Sequence, residues 1–193
     1  MKRPWIRFWL FASLIALAVS VSAASQKSHK RGVGANELTL GGIQPGKDKL
    51  SGIQKLLDEH LHAMTAEGAN AHGWNDPCTG RLLTLEVDGT GVIQTVDINS
   101  STTHENCKAP RDEKKESFWV TGEGLKLGES SERVVEIYGP PSSSGPSIKQ
   151  GRELELMFYM FDWAGSKVPQ VMEVTCDKSD SRVVEIMLAF PSL

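Results

Sequence analysis

No apolar run in the 193 residues reaches the roughly 20 needed to span a membrane as a helix. The longest, residues 8–21, has 14 and is interrupted only by Ser13 and Ser20. There is no basic excess: 21 Lys and Arg stand against 24 Asp and Glu, for a net charge of −3. That balance argues against a nucleic-acid partner, which requires a basic face. There is no Gly-x-Ser-x-Gly elbow, no P-loop, and no glycine fingerprint in a βαβ context, so the common signatures of a serine hydrolase, a nucleotidase or a dinucleotide enzyme are missing. Only three cysteines occur, too few and too far apart for a Cys-x-x-Cys pair.

The short apolar run has a different use. Lys2, Arg3 and Arg7 precede it, and Val21-Ser22-Ala23 supplies small residues behind it. This is the grammar of a cleavable export signal. No cysteine sits at the cleavage site, so no lipid anchor or stable membrane anchor is expected there. Removing residues 1–23 takes away three positive charges and moves the net charge from −3 to −6. The expected address is periplasmic or secreted.

All three cysteines, Cys78, Cys107 and Cys176, remain after cleavage, in a compartment that permits disulfides. Cys176 lies in an apolar alternating segment and is expected to stay a buried thiol. Cys78 follows a turn-rich stretch and Cys107 lies in a polar one, so these two are the expected pair. Closing that loop would stabilise the fold by roughly 3–4 kcal/mol in the chain-entropy model. The one metal-like fragment is His104-x-x-Cys107. His60, His62 and His72 lie at irregular spacings around it, so exposed histidines beside a disulfide explain the pattern better than a zinc site. No cofactor and no catalytic residue is expected. The competing reading is a secreted hydrolase or metal-binding protein built from scattered histidines and acids.

Residues 24–36 are polar and read as a disordered lead-in. Residues 37–98 contain an extended start, a turn at Pro45-Gly46, a candidate cap at Asp48, and apolar positions Leu50, Ile53, Leu56, Leu57 and Leu61 at helical spacing. Alternating strands around an Asp88-Gly89 hairpin follow. Residues 99–117 read as a polar linker. Residues 118–193 repeat the order: Gly124 and Gly128 for the turn, Ser130 as cap, Val134, Ile137 and Tyr138 on one helical face, Gly139 and Pro141 as a stop, then a strand meander. Gly42 and Gly46 align with Gly124 and Gly128 at an offset of 82, and the turns at Asp88 and Asp177 lie 89 apart. The expected fold class is therefore α+β, with two tandem repeats, each a helical layer packed on an antiparallel β-meander.

The pattern Gly128-x-Ser130-x-x-x-Val134-x-x-x-Tyr138-Gly139-x-Pro141 resembles the small domain of the SmpA/OmlA outer-membrane assembly proteins, and a tandem of such units resembles the β-lactamase-inhibitor-protein fold. The resemblance implies a helical layer on an antiparallel sheet that binds other proteins, with no catalytic residues to carry over. The expected function is an exported, non-enzymatic binding module whose partner is another protein of the envelope or extracellular space, as an assembly factor, a scaffold or an inhibitor. Tyr159, Phe161 and Trp163 share strand parity, opposite Phe158 and Met160. They are the expected interface anchors, because exposed Trp and Tyr are favoured at binding hot spots.

Overall fold

Alternation of apolar and polar residues dominates the chain, and strands dominate the structure. The computed structural model describes residues 38–100, 113–161 and 170–190. All of them belong to one compact unit, Gly32–Leu193; the other, Met1–Arg31, lies outside the described residues, as do the export signal and the lead-in.

The elements run α1 (Leu50–His60), β1 (His62–Met64), β2 (Ala71–Asp76), β3 (Arg81–Val87), β4 (Ile93–Ser100), α2 (Glu113–Ser117), α3 (Ser131–Tyr138), β5 (Ser143–Lys149), β6 (Arg152–Phe161), β7 (Gln170–Asp177) and β8 (Val183–Ala189). The strands form one antiparallel sheet in the order β1-β2-β3-β4-β8-β7-β6-β5.

This corrects the expected pair of helix-plus-meander repeats. β4 pairs with β8 from Thr95–Ala189 to Asn99–Glu185, so the two runs of strands fuse edge to edge into a single sheet. Its cross-strand contacts include Val96 opposite Leu188 and Ile98 opposite Ile186, all of them buried. One apolar cluster extends from Leu38 through Leu83, Ile98, Val134 and Tyr159 to Leu188. Among the described residues helices are a minor component, with 11, 5 and 8 residues. Periodicity reports local conformation, but it does not report which strand edges meet. Burying each large apolar side chain in this shared core contributes about 1.5–3 kcal/mol, so joining the edges is strongly favoured.

Three strands were illegible as strands. β2 (Ala-His-Gly-Trp-Asn-Asp) and β5 (Ser-Ser-Gly-Pro-Ser-Ile-Lys) are poor in β-branched residues. β1 has three residues, all exposed. β1 and β5 are the two edges of the sheet. Pro146 is tolerated in β5 because an edge strand has one side without ladder bonds.

Local chemistry sets the helices. Ser130 is extended, and its Oγ accepts the Arg133 N–H at 3.4 Å, which caps α3. The helix stops at Gly139, whose φ of +83° few other residues adopt and whose N–H closes on the Val135 carbonyl. Asp48 does not cap α1. Its Oδ2 accepts the Gln44 N–H at 2.8 Å and closes the preceding turn, while Lys49 takes the cap position without a side-chain bond. α2 lies within the segment read as polar linker. It is tethered by Lys115 to Asp76 at 2.8 Å and by Glu116 to Arg81 at 3.0 Å. Burial alone would raise the Asp76 carboxyl, but hydrogen bonds from Lys115, Thr79 and the Cys78 N–H hold it below its usual range.

Candidate protein-docking face

Because side chains alternate across a strand, the sheet has two distinct faces. One is packed beneath Leu57 and Leu61 at α1 and Val134 of α3, with Trp74, Leu83, Leu85, Met157, Tyr159, Phe161, Met172, Val174 and Ile186 buried against them. Among the described residues, no helix covers the other face.

Tyr159 and Phe161 lie on the helix-covered face, at 2% and 5% exposure. Their rings stack at 6.0 Å, and both pack on Tyr138 of α3. The Tyr159 hydroxyl donates to the Gly139 carbonyl at 3.2 Å. Burial, with Cys176 and Tyr138 nearby, pushes that hydroxyl up to about 12. These two residues fasten α3 to the sheet, so they are not the exposed anchors expected of them. Their large apolar area is used where it removes most water. Trp163 lies outside the described residues.

The open face carries the opposite parity. Its cross-strand rows read Met187, Glu173 and Phe158, then Ala189, Val171 and Met160. Leu156 stands beside Thr175 in the next row. Phe158, Leu156, Val171 and Met187 are half-buried, and Met160 is 49% exposed. The sequence signal for this face was visible: Leu154, Leu156, Phe158 and Met160 alternate along β6.

The apolar rows surround a polar centre. Glu185 on β8 and Asp97 on β4 lie on neighbouring strands, in adjacent rows of this face. Asn99 Nδ2 donates to Asp97 Oδ1 at 2.8 Å. Lys149 on β5 donates to Glu185 Oε1 at 2.6 Å. Burial, reinforced by the Glu185 charge, raises the Asp97 carboxyl to about 7. A shallow pocket of about 160 Å³ opens here, lined by Lys149, Leu154, Leu156, Glu173, Thr175 and Glu185 among others. Nothing in the chain's local patterning marks Asp97, Lys149 and Glu185 as neighbours, since 36 and 88 residues separate Glu185 from its two partners.

The remaining expected site residues are scattered. Gly124 and Gly128 adopt φ of +92° and +84° in the turn before α3, and Pro141 follows its stop. His60 tilts on Phe118 and His72 stacks on Trp74, while His62 is exposed on edge strand β1. Among the described residues, no three His, Cys, Asp or Glu side chains converge as a metal site. His104 and Cys107 lie outside the described residues. Cys176 is a free, buried thiol that burial pushes up to about 11. Among the described residues, no helix is long and apolar enough to cross a membrane.

No family model matches the chain, and no curated protein matches it. The SmpA/OmlA likeness thus remains a likeness of one turn-and-cap motif. Among solved structures, a provisionally named β-lactamase inhibitor protein from Streptococcus mutans is similar over 69% of this chain and 79% of its own, at 15% identity and a TM-score of 0.26. A superposition of that quality assigns neither fold nor function.

Proposed function

We propose that the chain is an exported, non-catalytic module that binds another protein on the open face of its sheet. The observation that carries this reading is the face itself: Leu156, Phe158, Met160, Val171 and Met187 lie in adjoining rows with no described helix over them. Exposed apolar surface arranged in this way favours burial against a partner. The partner is a folded protein of the envelope or extracellular space. Its contact surface is apolar with basic groups, because Glu173 lies within one apolar row and Glu86 toward the end of the other. The Cys78–Cys107 pairing belongs to the same proposal, since it needs an oxidising compartment.

The test is crosslinking and capture from envelope and medium fractions with mature wild-type protein, Phe158→Ser/Met160→Glu on the open face, and Val135→Glu on the helix side. Capture of the same protein by wild type and Val135→Glu, but not by the open-face variant at equal melting temperature, supports the proposal. Equal capture by all three, or by none, refutes it.

A further inference from the structure

Glu173 stands within the open face without a countercharge. Across the strands it lies between Phe158 of β6 and Met187 of β8. Along β7 its neighbours of the same parity are Val171 and Thr175. None of these is a cation, and among the described residues no ion pair or hydrogen bond reaches the Glu173 carboxylate. Lys149, which lines the same shallow pocket, is already held by Glu185 at 2.6 Å. A half-buried carboxylate among apolar side chains loses its water when a partner covers it. That loss is costly unless the partner brings a positive charge.

A second observation points the same way. Thr175, beside Glu173 on this face of β7, is only 7% exposed. Among the described residues its hydroxyl has no hydrogen-bond partner, and the side chain lines the pocket of about 160 Å³. Polar groups buried to this degree are ordinarily satisfied. The pocket therefore combines an unused hydroxyl acceptor with two carboxylates, Glu173 and Glu185, against the single ammonium of Lys149. Leu154, Leu156 and Met187 add apolar surface to its walls.

We propose that this pocket takes one arginine side chain of the partner protein: its stem lies along Leu156 and Met187, and its guanidinium donates to the Glu173 carboxylate and the Thr175 hydroxyl. This rests on the docking face proposed above and names the group which that face reads. A divalent metal ion would leave the apolar walls unused, and among the described residues no three His, Cys, Asp or Glu side chains converge to hold one. Lysine carries the same charge on a compact ammonium. The planar guanidinium donates in a fork to neighbouring acceptors and packs on an aromatic ring, and Phe158 stands beside Glu173 in the row.

Two measurements on the mature chain test this. In the first, protein with isotope-labelled methyl groups is titrated by NMR with N-acetyl-arginine methylamide, and in parallel with the lysine and norleucine analogues. Saturable shifts of the Thr175 and Met187 methyls with the arginine probe, at least about tenfold weaker in Glu173→Gln, support the proposal. No saturation, or equal affinity in wild type and Glu173→Gln, overturns it. A lysine analogue that binds as tightly as the arginine one overturns the choice of arginine, and an equally tight norleucine analogue overturns the role of charge. Thr175→Val keeps the branched shape and removes the hydroxyl. It should weaken arginine binding about three- to tenfold, and it keeps the proposal falsifiable if Glu173→Gln fails to fold. Unchanged affinity in Thr175→Val refutes the hydroxyl contact.

The second measurement repeats the capture from envelope and medium fractions with Glu173→Gln. A loss of about tenfold or more in the protein that wild type captures supports the arginine pocket. Undiminished capture overturns the pocket and leaves the docking face standing. Failure of wild type to capture any protein overturns the docking face itself, and the titration alone then decides whether the pocket holds a guanidinium.

Discussion

The Trp74 indole Nε1–H donates to the Asp58 carboxylate at 2.7 Å, and that bond pins α1 to β2 across 16 residues of chain. The indole is buried at 2% exposure, whereas Asp58 is open to solvent. Replacing Asp58 by Ala leaves a buried donor whose best replacement partner is water at the helix edge. The expected cost is about 1 kcal/mol, the lower part of the range for an unsatisfied buried group. A double-mutant cycle with Trp74→Phe, measured by urea unfolding, should return a coupling of about 0.5–1.5 kcal/mol. Additive losses would show that packing alone seats the helix.

Tyr159 and Phe161 should behave as core. Phe161→Ala removes a ring that touches Tyr138 and Tyr159, and should cost about 3–5 kcal/mol. The urea midpoint should fall without any selective loss of partner capture. A Phe161→Ala protein of native stability would return this parity to the surface.

Gly46 and Gly91 separate conformational strain from steric clash. Both have positive φ, +79° and +78°. A Cβ at Gly91 meets nothing within 4 Å, whereas at Gly46 it would lie 2.6 Å from Phe190 Cγ. Gly91→Ala should cost about 1–2 kcal/mol, the left-handed backbone term. Gly46→Ala should cost about 1–3 kcal/mol more, because Phe190 must be displaced. Denaturant melts of the two variants give the difference directly, and equal costs would mean that Phe190 moves freely.

Asp177 sets part of the acid limit. Its carboxylate accepts from the Ser179 hydroxyl and N–H and pairs with Arg152, which together hold it down to about 2. A depressed acid stabilises the fold above its unfolded value and loses that contribution as pH falls through the folded one. The loss should therefore fall between about pH 4 and about pH 2. Asp177→Asn should flatten the wild-type stability profile in that window and leave it unchanged above pH 5. An unaltered acid limb in thermal melts would mean that the turn is held by other bonds.

Much of this protein was determined by its sequence alone. Ser130, Gly139 and Gly128 act through the backbone within a few residues, so the α3 boundaries are readable from local chemistry. Alternation along β3, β4, β6, β7 and β8 is equally local, because the pleat sends neighbouring side chains to opposite faces. The tertiary structure decided the rest. The single sheet depends on β4 meeting β8, and two compatible strand edges carry no mark of each other in sequence. Which parity of β6 is covered depends on where α3 lands; it lands on Tyr159 and Phe161 and leaves Phe158 and Met160 open. The Asp97–Glu185–Lys149 cluster exists only because strands distant in the chain share one face, where burial and the nearby Glu185 charge raise the Asp97 carboxyl.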